Sequence, residues 1–534
     1  MSRRPAIAAH RRWIGLSVLV CLAIGQAATM VVTAFATRDV IGALREGNGI
    51  VPVQALIAMV AAGFAIFGLR SAEGAIGERT AQSYAADIRR TLFLHMTKMP
   101  TSAMARRRAG ATALRYVGDL TAFKGWVARG LVRYISGAVT IPAAFLILYW
   151  LEPRLALAAA VPIGVVVITI FLLGQPLADA HATLRSKRAR LAADMAERLP
   201  QGIALRRSGR VKTELRALDA KSEKIVRAAV WRAWLAETVR AMPDAAAGIA
   251  GALCLWVCLD LRLSVADAVA ALTALALVVW PLRHLADARD RQKAFGVARA
   301  KLDATLSTPR MRSLKKANAD PDAPAVALDG VRMPGSAPLN LTLQCGEMRR
   351  LSGPASCGKS RLLLTLAGFE AAPDEGMLKV FGSAPAASKS GRILYLGQYA
   401  PTLKGSLRRE VTLGTGCDPE KAELRDVIKR AGLVDMTERL GGLNGQVSEG
   451  RRNLTSSERG RLFLARGLIA RPDLALIDAD EIGLKGEALA VLLDHFECLG
   501  AAVLIVTSDK AAQIRLGSPV RLQTTGNYSR ADAA

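Results

Sequence analysis

The sequence predicts two folds in series: an all-α membrane domain with six spanning helices, followed by an α/β domain built around a phosphate-binding loop. Three observations predict this. Six apolar segments and two long basic excursions fill the first 307 residues. A stretch of prolines, lysines and aspartates follows. From Ala325 onward, short apolar runs alternate with helical stretches around G-x-x-x-x-G-K-S at Gly353–Ser360. The expected divisions are 1–307, a linker over 308–324, and 325–534.

Composition sets the class. The chain has 534 residues, of which 51% are hydrophobic, and a mean hydropathy of +0.25. That is high for a wholly soluble chain. The net charge of +27 admits nucleic acid as a partner, but the Lys and Arg flank apolar segments, as positive-inside topology requires. Aromatics make up only 5%, which leaves few platforms for stacking bases. No nucleic-acid partner is expected. Seven cysteines show no metal-ligand spacing. Cys254 and Cys258 lie one helical turn apart in an apolar run and read as packing. Cys357, inside the phosphate loop, implies a reducing compartment or an oxidation-sensitive site.

The spans are read from apolar length. Trp13–Thr37, Gly47–Leu69, Tyr134–Leu151 and Leu155–Leu177 carry no charge, and a bilayer core needs about 20 helical residues. Ala245–Leu259 and Ala268–Leu282 are shorter and bounded by Asp244, Asp260, Asp267 and Arg283, so they need their polar ends to reach the interface or burial against the other helices. The first run follows Arg3, Arg4, Arg11 and Arg12 and is too long for a signal core, so no cleaved leader is expected. Arg38–Glu46, Glu152–Arg154 and Asp260–Asp267 read as short external connections. Between them, Arg70–Arg133 and Ala178–Arg240 are basic, helical excursions of about 60 residues; they and the N-terminus are placed on the cytoplasmic side. No charged residue falls deep inside a span, so no polar cargo site is legible.

The phosphate loop is the most specific signal. The strand Met348–Ser352 runs into Gly353, Ser356, Cys357 and Gly358, whose backbone N–H groups can curl around phosphate oxygens. Lys359 supplies a point charge for the β- and γ-phosphates, and Ser360 a hydroxyl for Mg²⁺; the helix starting there, with Arg361 in its first turn, adds its positive end. The expected cofactors are ATP and Mg²⁺.

Together these features resemble an ATP-binding-cassette (ABC) exporter half-transporter, with a six-helix membrane domain fused to one ABC-type P-loop NTPase domain. Arg107-Arg108-Ala109-Gly110, Arg115 and Asp119-Leu120-Thr121 resemble the family's first intracellular loop, which implies a coupling turn near Ala113–Thr121. Glu197-Arg198 with Gly202-Ile203 resembles the approach to a second, near Arg206–Arg216. The resemblance implies that Gln398, after the strand Ile393–Leu396, contacts Mg²⁺. It also implies that Asp478, ending Leu474–Asp478 after Arg471-Pro472-Asp473, binds the metal through water. Glu449 matches an acidic residue that exporters carry before the signature, and also suits a solvated loop.

Departures from the family pattern follow. Ala479 stands where a water-polarising glutamate is expected, and a methyl group cannot orient water. Asp480 and Glu481 are expected to point elsewhere. Ser508 stands at the switch-histidine position. The signature is Leu454-Thr455-Ser456-Ser457-Glu458, in which two serines put Cβ atoms where glycines allow close approach. Glu458 adds a charge of the wrong sign for an anion. Met333 stands at about the position of the adenine-stacking aromatic, and Lys485 at that of the D-loop aspartate.

The reading is therefore a nucleotide-binding but hydrolytically degenerate subunit of an exporter-type transporter. It is expected to hydrolyse ATP slowly or not at all by itself. Its expected partners are the lipid bilayer, an unidentified cargo and a second half-transporter, with a heterodimer favoured over a homodimer. The alternatives are a non-transporting membrane pseudo-ATPase and a homodimeric exporter with atypical motifs. A bacterial plasma membrane is expected, with the nucleotide-binding domain cytoplasmic.

Overall fold

The computed structural model describes residues 4–46, 51–105, 120–311, 320, 322–387 and 392–523. The chain forms two compact units, one of Met1–His95 with Arg108–Thr308, the other of Met96–Arg107 with Pro309–Ala534.

Among the described residues, six helices are long and apolar enough to cross a membrane: Arg12–Glu46, Val53–Met96, Leu120–Leu151, Pro153–Arg207, Val211–Asp260 and Val265–Leu306. Five contain a whole predicted span; the second begins at Val53, so of the predicted span Gly47–Leu69 it contains 53–69, and 47–50 lie outside the described residues. The predicted connection Arg38–Glu46 is helical instead. It holds no Pro, its one glycine, Gly42, is accommodated within the helix, and Arg38 is paired with Asp267 at 2.7 Å. Pro153 starts the fourth helix at a position where a missing N–H costs nothing. Ser264 caps the sixth by accepting the Asp267 N–H.

The excursions are continuations of the spans. The 44-residue second helix is about 66 Å long at 1.5 Å per residue. The fourth and fifth helices pack along each other and are pinned at their far end by Arg198–Glu214 at 2.5 Å and by Lys221–Asp194. Between them the chain turns at Ser208–Arg210, with Gly209 at φ +68°, inside the predicted second coupling region. The first coupling region, Ala113–Thr121, lies outside the described residues except for Leu120 and Thr121, which begin the third helix. The third helix widens to π geometry over Trp126–Leu131. Met30, Ile147, Leu155, Cys254, Leu275 and Leu282 are among the buried side chains of the bundle core. Cys254 and Cys258 are buried there, as packing residues.

The second unit is an α/β domain. Its strands are β1 (Val326–Val331), β2 (Leu339–Leu343), β3 (Met348–Ser352), β4 (Met377–Val380), β5 (Ile393–Leu396), β6 (Gly405–Ser406), β7 (Gln446–Val447), β8 (Leu474–Asp478), β9 (Ala502–Val506) and β10 (Val520–Arg521). An antiparallel sheet has the order β2-β1-β4, and a parallel one the order β10-β3-β9-β8-β5. Every residue of β8 and β9 is buried, as parallel strands covered on both faces must be. β4 was not legible as a strand: four residues, one of them Lys379, alternate exposed and buried against β1. The short helix Thr101–Ala105 belongs to this unit. Thr101 N–H and Oγ1 donate to the Phe369 carbonyl at 3.0 and 2.9 Å, and Ser102 Oγ donates to Glu370 Oε1 at 2.6 Å.

Candidate nucleotide site

Parallel strands put all their carboxyl ends on one edge, and that edge holds the site. The phosphate loop leaves β3, and Asp478 ends β8, one strand away across β9. Gly358 has φ +93°, a left-handed conformation that a side chain would strain. A Cβ on Gly353 would lie 2.6 Å from the Leu522 carbonyl oxygen and 2.8 Å from Cys357 Sγ, so only glycine fits. Cys357 is fully buried, and its thiol is shielded from solvent. Ser356 is exposed with φ +62°.

Lys359 and Ser360 begin the helix Lys359–Leu366. Lys359 Nζ donates to the Gly353 and Pro354 carbonyls at 2.8 and 2.7 Å, so its ammonium is held over the loop. Ser360 Oγ donates to Asp478 Oδ2 at 2.5 Å. Asp478 is 3% exposed. Burial raises its pKa, against the Ser360 hydroxyl and the Glu481 N–H that favour its charged form. A hydroxyl bonded to a buried carboxylate beside a phosphate loop is a hard-oxygen donor pair that fits Mg²⁺. Gln398 is exposed two residues past β5, whose Leu396 pairs with Ile477, so it leaves the sheet at the same edge as Asp478.

Met333 is 2% exposed. A Cβ on Gly358 would lie 3.2 Å from its own Cβ, so Met333 is a core residue under the loop and offers no open face to a ring. The neighbouring cleft is lined by Arg332, Pro334, Gly335, Arg361 and Glu375, with Met333 at its floor.

The residues beyond Asp478 divide. Ala479 is fully buried. Asp480 points away as expected, its Oδ1 accepting the Ser508 N–H and Oγ–H at 2.8 and 2.7 Å. Glu481, exposed in the helical turn Ala479–Ile482, is near enough to Ser360 for that hydroxyl to favour its charged form, although the Ser360 hydrogen bond itself goes to Asp478. Partial burial and then the Asp478 charge raise its pKa.

The signature residues cap a helix. Leu454 is buried, while Thr455, Ser456 and Ser457 are exposed at the start of the helix Ser456–Ile469. Thr455 Oγ1 accepts the Glu458 N–H at 3.2 Å, and Glu458 Oε2 accepts the Thr455 N–H at 2.7 Å, a reciprocal capping box. The other Glu458 oxygen meets Arg439 at 2.6 Å. The expected wrong-sign charge is thus matched within the chain. Burial opposes ionisation of Glu458, but the Thr455 N–H and Arg439 prevail and its pKa falls. Glu449 lies in the turn Glu449–Arg451. Lys485 is exposed.

Sequence reasoning missed one buried network. Glu410 (1% exposed) accepts from Arg451 Nε at 2.9 Å, and its backbone carbonyl accepts from Arg466 Nε at 2.8 Å. Arg466 Nη2 stands 3.0 Å from Glu410 Oε1, and both guanidinium groups lie over Phe463.

Comparison with known proteins places this geometry. The family description "ABC transporter transmembrane region" matches residues 16–282, and "ABC transporter" matches residues 337–480. The chain belongs to the ABC transporter family. The solved structure of a bacterial Atm1-family ABC exporter with ATP bound superposes with a TM-score of 0.79 at 18% identity, over 96% of this chain and 93% of that one. The mycobactin import ATP-binding/permease protein IrtB of Mycolicibacterium smegmatis is 25% identical over 49% of this chain and 47% of its own length. The Fe(3+) ions import ATP-binding protein FbpC of Mesorhizobium japonicum is 27% identical over 39% of this chain and 56% of its own length. The chain thus spans about half the length of these curated relatives. As an ABC half-transporter it is an integral membrane protein of exporter-type architecture, with a domain of the kind that uses ATP.

Proposed function

We propose that this chain is the catalytically degenerate subunit of an exporter-type ABC transporter, binding Mg²⁺·ATP and moving an unidentified cargo as one half of a heterodimer. One observation carries the reading: Ala479 fills the position beside Asp478 from which a carboxylate would orient the attacking water. Bound Mg²⁺ would neutralise charge on the β- and γ-phosphates. Lys359 would exchange its loop carbonyls for phosphate oxygens, while Ser360, Asp478 and Gln398 would hold the metal. Ser508, occupied by Asp480, does not replace a histidine. A companion half-transporter would supply a glutamate and histidine to one site and a glycine-rich signature to the other. The basic N-terminus and excursions support a cytoplasmic ATPase domain in a bacterial plasma membrane.

The test is phosphate release from the full-length protein, alone and with a co-expressed second half-transporter. Turnover is expected to rise by about 10²–10⁴ with the companion, the usual worth of a positioned base. Brisk hydrolysis by this chain free of any other cassette protein would overturn the proposal.

A second reading has one observation in its favour. Glu481 lies within reach of Ser360, so a homodimer could orient water from a carboxylate displaced along the chain. Under this reading Glu481→Gln abolishes whatever turnover the isolated protein shows; under the first it leaves that turnover unchanged.

A further inference from the structure

Between the second, third and sixth long helices lies a cavity of about 190 Å³. Its lining follows helical periodicity: Arg70, Glu73 and Gly74 from the second helix, Arg129, Arg133 and Ser136 from the third, Trp280 and His284 from the sixth. Residues three and four apart share a helix face, so each helix turns one face inward. All of the charged residues and His284 lie just beyond the ends of the apolar stretches read from the sequence, while Ser136 and Trp280 fall just inside them. For that reason no polar site was legible there.

Three arginines face one glutamate. Glu73 is 8% exposed and accepts from Gln26 Nε2 at 2.8 Å, and the three arginines outnumber its one negative charge in the lining. Arg133 is paired with Asp287 at 2.9 Å. Arg70 lies over the Trp280 ring, 4.1 Å from its centroid. Among the described residues neither Arg70 nor Arg129 is in an ion pair. Ser136 is 4% exposed, and its hydroxyl has no hydrogen-bond partner; the same holds for His284 Nδ1. A buried hydroxyl without a partner is costly unless something brought into the cavity completes it. Arg129 lies within the π-helical stretch Trp126–Leu131, a geometry that recurs at functional sites.

We propose that this cavity binds an anionic group, a phosphate or carboxylate, held by Arg70 and Arg129 and accepting the Ser136 hydroxyl. The volume admits a headgroup-sized anion and not a whole lipid. The anion comes either from a soluble cargo or from an anionic lipid, since basic pockets between spanning helices suit headgroups equally well. Calling it a cargo site rests on the transporter reading above; binding the anion does not.

The test uses full-length protein in nanodiscs, without nucleotide. One arm has phosphatidylcholine discs titrated with inorganic phosphate; the other has discs containing phosphatidylglycerol and no phosphate. A ligand that binds the folded state raises the unfolding temperature in a saturable way. Stabilisation by phosphate identifies a soluble anion, and stabilisation only by phosphatidylglycerol identifies a headgroup. In either arm Arg70→Gln and Arg129→Gln are expected to weaken binding tenfold or more. Gly74→Leu, where an added Cβ meets nothing within 4 Å, fills the cavity without changing charge and is expected to do the same. Arg79→Gln, on the same helix but outside the lining, is expected to bind as wild type. No response to either anion, or unchanged binding in the three cavity variants, or an equal loss in Arg79→Gln, would overturn the proposal. None of these results bears on ATP binding, which would stand or fall separately.

Discussion

Ser508 and Asp480 are bonded twice, through the serine N–H at 2.8 Å and its hydroxyl at 2.7 Å. The carboxylate nearest in sequence to the missing base is thereby committed to the segment after β9. The one side chain at the switch position is committed in return. Under the proposed reading neither is free to contribute to water activation, and Ala479 gains no substitute from that side.

Restoring the base should therefore matter more than restoring the switch. Ala479→Glu is expected to raise phosphate release from the full-length protein by about 10²-fold or more. Ser508→His alone, which breaks the Asp480 bonds and adds no base, is expected to leave it unchanged. If Ala479→Glu has no effect even in combination with Ser508→His, the defect lies elsewhere, with the serines of the signature the next candidates.

Lys359 holds two loop carbonyls at 2.8 and 2.7 Å, and those bonds are weaker than ammonium-to-phosphate ones. Lys359→Ala is expected to reduce ATP affinity tenfold or more, about 1.4 kcal/mol, with little change in the stability of the unliganded protein. Fluorescent-nucleotide titration reads this directly. Equal affinity in the variant would mean the loop does not hold the phosphates.

Much of this was legible because the signals are one-dimensional. Span length, basic flanks and G-x-x-x-x-G-K-S each depend on residues adjacent in sequence, so the six helices, β3, β5 and β8 could be read directly. Asp478 and Ser360 could be paired from motif register alone. What escaped depends on folding-back. Glu481 comes near Ser360 from within the helical turn Ala479–Ile482. Glu458 looks like a misplaced charge until Arg439, far back in the chain, is brought to 2.6 Å. Met333 has the register of a stacking residue but is buried beneath Gly358.

The raised pKa of Asp478 has a stability consequence. A carboxylate whose folded pKa lies above its unfolded value of 3.8 costs stability when ionised, at pH above the folded pKa. The cost disappears as pH falls through that value toward 3.8. Asp478→Asn keeps an acceptor for Ser360 Oγ and removes the charge. It is expected to stabilise the metal-free protein at neutral pH, with the gain shrinking to nothing in acid, while Mg²⁺-dependent tightening of ATP binding is lost. Thermal unfolding across pH with and without Mg²⁺·ATP checks both halves; a gain that persists undiminished in acid would rule out the electrostatic explanation.

The Glu410 network makes the strongest claim about what holds the ATPase domain together. Three charges are buried there, with Glu410 and Arg466 each 1% exposed and Arg451 7%. Burial drives the Arg466 pKa down to about 10, against the opposing pull of Glu410. Glu410 lies on the helix Leu407–Thr412, Arg451 in the turn before the signature, and Arg466 on the signature helix. One carboxylate thus fixes three segments. Removing it leaves two guanidinium groups buried without a counter-charge, so Glu410→Ala is expected to cost about 3–5 kcal/mol. Replacing all three by apolar residues of similar volume, as in Glu410→Leu with Arg451→Met and Arg466→Met, avoids the uncompensated charge. It is expected to be near neutral or stabilising. Urea unfolding of the two variants distinguishes a packing role from an electrostatic one. If the single and triple variants lose the same stability, the cost comes from lost shape. If only the single variant is destabilised, it comes from a charge stranded away from water.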